Sequence, residues 1–340
     1  MANSQIKNLA LFLLGAMPIV LGYLFIQHIG QFSGEKILAA SYDRALTAFY
    51  LAPIWRVKNS FLTILFWCVI LLAICLQWLF PAKPAQRIFS VSFAHDLVWF
   101  FYEAILHALI VFIYVDFLTR YYNKHFASLT ITSLSQAPAW LRFLLAVLLL
   151  DFLYWAQHYC NHKVPLLWRF HTLHHSQKEL NFFTDFRYHV LEYIVRHTFL
   201  VIPFLILKID AQLIVTFALF QRWYGPFYHS NIRTTLGPLK YILVTPQSHR
   251  VHHSLDPGHR DTNFGSIFSI WDFLLGTQYK NFDVYPETGI EDEDFPHEEK
   301  LGLKSLFLTP VYQLLYPFFY HPQRQPGSAS ETEEGSVGKF

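Results

Sequence analysis

Residues 141–162, LRFLLAVLLLDFLYWAQHYCNH, govern how the rest of the chain is read. The stretch opens as an apolar run, about 141–157, interrupted by Asp151, and ends in two histidines. Its length approaches the roughly 20 residues a helix needs to cross a bilayer core of about 30 Å. Asp151, Tyr154, His158 and His162 follow at steps of three, four and four, which puts them in one stripe along a helix. The expectation is a span that rises out of the membrane and carries His158 and His162 at its end. An ionisable group inside such a span should face protein or water, not lipid.

The composition agrees. Hydrophobic residues make up 53% of the 340 and charged residues 15%, against about 25% charged in average soluble domains. Sixty-two Phe, Tyr and Trp side chains suit interfacial belts and exclude disorder away from the ends. A net charge of +2 without a basic block excludes nucleic acid as partner. Cys68, Cys75 and Cys160 form neither a CxxC pair nor an even set, so no disulfide framework or thiolate metal site is expected.

Further runs extend the membrane reading. Residues 9–27 and 61–80 carry no formal charge and are read as spans, the first as an uncleaved one. A third run, about 97–118, holds Glu103 and His107. The runs 198–207 and 211–220, parted by Lys208 to Asp210, are each too short to cross alone. They read as a hairpin that dips in and returns, or as the apolar ends of two longer helices. After residue 229 the chain turns polar, and 322–340 has the composition of a disordered tail. The expected fold is all-α: an integral membrane helical bundle with about four spanning helices, a short membrane hairpin and a histidine-rich helical metal-binding cap. The divisions follow: 1–139, N-terminal membrane region with three spans; 140–280, the histidine-bearing domain; 281–321, C-terminal segment; then the tail. Lys and Arg number 16 from residue 159 onward and 10 before it, which places the cap in the cytoplasm.

Histidine is the second excess, and eleven of the 18 fall between His158 and His253. They form boxes: HxxxH at His158 and His162, HxxHH at His171, His174 and His175, and HxxHH again at His249, His252 and His253. Positions i, i+3 and i+4 share a helix face, so each box can aim two or three imidazoles at one point. With His229 the candidate ligands number nine, more than the roughly four to six that one transition-metal ion accepts. Two metal ions are implied. Imidazole suits Zn, Cu, Fe and Ni alike. A redox pair at a membrane surface has the task of activating dioxygen against a lipid C–H bond.

Leu167-Trp-Arg-Phe-His171, Asn181-x-x-Thr184-x-x-Arg187-x-His189-x-x-Glu192, Phe227-x-His229-Ser-Asn231, Thr245-Pro-x-x-His249-Arg-Val-His252-His253-Ser254 and Asn263-Phe-Gly265 through Trp271-Asp272 to Gly276-Thr277 occur in that order around the boxes. As a set they resemble the fatty acid hydroxylase/sterol desaturase superfamily over about residues 140–280. The resemblance implies a multi-pass membrane oxygenase with two iron ions, O2 as cosubstrate, an active site facing the cytoplasm, and electrons from a separate protein of ferredoxin or cytochrome b5 type. Many relatives carry Pro where this chain has Val190, and some place a histidine about where Gly225 stands. His189 is the candidate to stand in as a further ligand. The substrates implied are fatty acyl chains, sterols or bacterial aminolipids, to be hydroxylated or desaturated, in a bacterial inner membrane rather than the ER.

Other residues have two readings. Asp151 is either a buried acid that satisfies a neighbouring helix or a carboxylate that accepts an imidazole N–H and fixes its tautomer. Tyr154 shares its stripe; Asp261 and Asn263 could brace the last box or simply form turns. Arg187 and Glu192 are expected to pair on one helix face. Two rivals remain: a zinc hydrolase of lipid esters, which would lack an HExxH base here, and a membrane metal carrier, which would need histidines at mid-depth, where only His107 is expected.

Overall fold

The computed structural model describes residues 60–298 and 303–319; the expected span 9–27 and the expected tail 322–340 lie outside the described residues. The described chain is mostly helical: α1 Ser60–Leu79, α2 Val91–Ile110, α3 Asp116–His125, α4 Ala139–Lys163, α5 Pro165–His175, α6 Val190–Leu207, α7 Ala211–His229, α8 Pro246–His252, α9 Ile270–Leu275 and α10 Leu303–Phe319. A π turn, Val111–Val115, joins α2 to α3. Extended pairing among the described residues is limited to isolated bridges.

The run at 141–157 is the body of α4. Pro165 ends it, because proline cannot donate to the helix and pushes the residue before it out of the α region. Val164 is accordingly extended, and Pro165 starts α5 at its first position. Among the described residues, α4 and α6 are long and apolar enough to cross a membrane. Only 22% and 28% of their apolar stretches are buried within the protein. Trp140, Phe143, Leu144 and Phe152 lie exposed along α4, as lipid-facing side chains would.

Of the two readings of 198–220, the apolar ends of two longer helices are seen and not a separate short hairpin: the runs belong to the 18-residue α6 and the 19-residue α7, which meet at Lys208 in the left-handed conformation (φ 48°). Sequence reading cut both runs short at Glu192, Arg196 and Arg222. These groups are buried and paired with other side chains, so the helices continue through them.

One core draws together α1, α4, α6 and α7 around Leu76, Leu150, Phe204, Phe217 and Tyr228. The segment between α5 and α6 is fastened from α2. Asp96, fully buried, accepts hydrogen bonds from Gln177 Nε2 (2.8 Å), Asn181 Nδ2 (2.7 Å), Thr184 Oγ1 (2.8 Å) and Arg187 Nη1 (2.9 Å). Arg187 also reaches Glu298 at 2.7 Å. The expected Arg187–Glu192 pair does not form, because α6 begins at Val190 and Arg187 precedes it.

Candidate metal centre

The three boxes and His229 converge from α4, α5, α7 and α8 into two nests of ring nitrogens, each with all its candidate donor atoms within 4.8 Å of one another. One holds His158, His162, His171, His175 and His252, the other His174, His229, His249 and His253. Each helix that carries a box contributes for a local reason. α4 delivers His158 and His162 because they lie one turn apart. α8 is only seven residues long and is held by its start: Thr245 accepts from Ser248 N–H while Ser248 Oγ accepts from Thr245 N–H.

The second ring nitrogens decide what the nests can bind. Each Nδ1–H of four histidines has an oxygen acceptor: Phe264 O for His158 (3.0 Å), Glu192 Oε1 for His171 (3.0 Å), Gly225 O for His229 (2.9 Å) and Thr262 O for His252 (2.7 Å). With Nδ1 protonated, Nε2 of each neutral ring presents a lone pair. His158 Nε2 and His171 Nε2 nevertheless face each other at 3.1 Å. Two lone pairs at that distance repel unless a cation lies between them. Other Nε2 atoms approach at 3.1 Å (His162, His175), 3.2 Å (His174, His229), 2.8 Å (His229, His249) and 3.0 Å (His249, His253). Adjacent ligands on a metal with bonds of about 2.0–2.1 Å stand roughly 2.9–3.4 Å apart. The donor set therefore fits a metal ion in each nest.

Burial keeps the rings neutral. It pushes His174, His175, His249 and His253 well below the ordinary imidazole range, and neighbouring imidazoles add to the effect. Burial takes His252 to about 3.

Two aspartates build the loop that holds His158. Asp272 accepts from Phe264 N (2.9 Å), Gly265 N (2.8 Å) and Trp155 Nε1 (2.9 Å), which sets the Phe264 carbonyl against His158. Gly265 has no room for a side chain: a Cβ would stand 2.7 Å from Phe268 O. Asp151 accepts from Ile267 N (2.9 Å), Phe268 N (3.2 Å) and Trp271 Nε1 (2.8 Å), none of them an imidazole. Of its two readings, the buried acid that satisfies a neighbouring segment is the one seen.

Among the other residues singled out from sequence, Asp261 Oδ1 lies 3.6 Å from His162 Nδ1 while its other oxygen accepts from Lys163 Nζ at 2.5 Å. Asn263 braces α8: its amide donates to Ser248 O (2.9 Å) and accepts from Gln278 Nε2 and Tyr279 N (2.9 Å each), so these bonds reach no imidazole. Tyr154 lines the cavity beside the nests, its ring against Phe217. The structure places His189, the candidate further ligand, outside both nests. It caps α6, with Nδ1 accepting from Leu191 N (3.1 Å) and Nε2 donating to Leu314 O (2.9 Å), so neither nitrogen is left for a metal. His197 stays outside both nests and lies beside His107, their Nε2 atoms 3.4 Å apart.

Sequence reading missed two carboxylates. Glu192, expected to pair with Arg187, is the group that orients His171; its spacing from Arg196, a helix turn later, signalled only that ion pair. Asp185 had none. Its Oδ1 sits 3.3 Å from His229 Nδ1, and its carboxylate fills the space beside Gly225, where a Cβ would stand 2.6 Å from both oxygens. A histidine at 225 would have to displace that carboxylate. Burial raises Asp185 to about 7, opposed by Arg222.

Fold and site together define a helical protein with long apolar helices and two imidazole nests that could each hold a metal ion. Residues 143–277 match the family model described as fatty acid hydroxylase. Across 156 residues the chain is 31% identical to an ornithine lipid hydroxylase of Rhizobium tropici, covering 46% of this chain and 45% of that one. It is 28% identical over 215 residues to the alkylglycerol monooxygenase of Homo sapiens and 32% over 218 to that of Danio rerio, each covering 62% of this chain and 45% of the relative. The chain thus spans less than half the length of these curated relatives. No solved structure gave a significant match. Residues 143–277 thus carry a similarity to the fatty acid hydroxylase family.

Proposed function

We propose that the protein is a membrane-bound non-haem oxygenase that hydroxylates a C–H bond of a lipid. The observation that carries this reading is the pair of lone-pair-rich nests, five imidazoles in one and four in the other, opening on a shared cavity. The nine ligands would be His158, His162, His171, His175 and His252 for one iron and His174, His229, His249 and His253 for the other. Bound there, iron supplies the dioxygen chemistry. The protein's own share is positional: Glu192, Phe264 O, Thr262 O and Gly225 O hold the rings with Nε2 inward, and the helices seat the lipid beside them. In the overall balance one oxygen atom enters the C–H bond, the other leaves as water, and two electrons and two protons are consumed. The electrons would come from a ferredoxin or cytochrome b5 type donor.

The names of the relatives favour hydroxylation over desaturation, which the same site could also support, and over a zinc hydrolase or a metal carrier. We further propose a multi-pass protein of a bacterial inner membrane, with about four spans before His158 and the active site facing the cytoplasm. The test is reconstitution in nanodiscs with ferrous iron, a reduced ferredoxin and membrane lipid extract. Oxygen-dependent gain of 16 mass units on one lipid class is expected; product formed without oxygen or reductant would overturn the oxygenase reading.

A further inference from the structure

The cavity between the nests is bounded on one side by His158, His171, His174, His229 and His249. Its other wall is polar, which an alkyl chain does not require. Gln157, 2% exposed, and Glu192, 3% exposed, line it, together with Arg196. Each keeps a buried atom without a hydrogen-bond partner: Gln157 Nε2, Glu192 Oε2 and Arg196 Nε. These atoms come from facing turns of two helices. Asn161 Nδ2 donates to Glu192 Oε1 at 2.9 Å, and one turn further along the antiparallel pair α4 and α6 come Gln157 and Arg196. Leaving such a group unpaired costs about 1–3 kcal/mol, so a ligand that supplies partners is favoured over one that does not.

Counting Ser266 Oγ, which lines the same cavity and is also unpartnered, the cavity offers two spare donors, one spare acceptor and a hydroxyl that does both, and the wall's charges cancel, with Glu192 and Arg196 3.6 Å apart. A carboxylate or an ammonium would have no countercharge left over. A hydroxyl or a secondary amide, which donates and accepts at once, matches the set.

We infer that this wall binds an uncharged hydroxyl or amide of the lipid, so that the carbon presented to the nests lies within a few bonds of that group and not in the middle of a plain alkyl chain. The inference rests on the lipid-oxygenase reading and deepens it by naming the substrate's polar feature. Gln157 and Arg196 donate to the group's oxygen, and Glu192 accepts its O–H or N–H.

The experiment measures equilibrium binding of hexadecane-1,2-diol, hexadecane and hexadecanoate, at equal mole fraction in detergent micelles, to the full chain with and without iron. The diol is expected to bind about tenfold tighter than either other probe, and Gln157→Met to cut the diol-to-hexadecane ratio by about threefold, the Arg196 and Glu192 contacts remaining. Equal affinity for all three, tightest binding of hexadecanoate, or an unchanged ratio in the Met variant would overturn the inference. The wild-type ratio decides the matter even if that variant does not fold. Oxidation is scored separately with a reduced ferredoxin. Diol selectivity without oxygen-dependent product sinks the oxygenase reading alone, whereas oxidation of all chains without diol preference sinks the polar wall alone.

Discussion

His171 Nδ1 lies 3.0 Å from Glu192 Oε1, with both side chains 2% exposed. The carboxylate fixes the tautomer that turns Nε2 into the five-imidazole nest. Glu192→Ala should therefore weaken metal binding there by about 10- to 100-fold. Metal titration with a competing chelator should show one weakened and one unchanged site; two unchanged sites would remove Glu192 from the centre.

Gly225 and Asp185 share one small volume, since a Cβ at 225 would stand 2.6 Å from the carboxylate. Gly225→Ala should destabilise the fold by about 1–3 kcal/mol through overpacking and disturb His229, whose Nδ1–H donates to the Gly225 carbonyl. Adding Asp185→Ala should recover part of that loss, a coupling readable in thermal unfolding as a double-mutant cycle. Strict additivity of the two changes would contradict the shared volume.

Arg187, fully buried, joins Asp96, Ser176 and Glu298. Arg187→Met strands two buried carboxylates and should cost about 3–5 kcal/mol. Arg187→Lys should rescue little, because one ammonium cannot reproduce the guanidinium fork. The check is unfolding temperature in detergent, where near-native stability of the Met variant would be the contrary result.

Acid should undo the metal-free centre. His252 has a folded value of about 3 against 6.5 when unfolded, and His174, His175, His249 and His253 shift the same way. Below 6.5 the unfolded chain takes up protons that the folded one refuses, so stability falls as pH drops from 6.5 toward 3 and is flat above about 7. Protons also compete with metal for the same nitrogens, so metal affinity should fall over the same window. Unfolding and chelator titrations from pH 8 to 5 test both; stability that rises on acidification would be inconsistent with neutral nests.

Much of this was legible beforehand. The boxes were readable because helix periodicity puts His158 with His162, and His171 with His174 and His175, on common faces. How the nine divide was not readable: neighbours His174 and His175 go to different nests, and which distant histidines meet each of them is set by tertiary packing. Glu192 and Asp185 were hidden because their partners, His171 and His229, lie 21 and 44 positions away and no periodicity links them. His189 misled for the opposite reason. It sits in a motif rich in site residues, yet the start of α6 uses its ring as a cap. The α6 and α7 runs were cut short because a sequence shows Arg196 and Arg222 as charges and not the carboxylates that pair with them.

The central claim is that the nine imidazoles hold two metal ions, divided five and four. Iron bound per chain, counted by elemental mass spectrometry after anaerobic loading and desalting, tests it most directly, with His162→Ala and His249→Ala alongside the wild type. Two iron ions per wild-type chain and one in each variant are predicted. A single iron in the wild type, or loss of all iron in both variants, would contradict it.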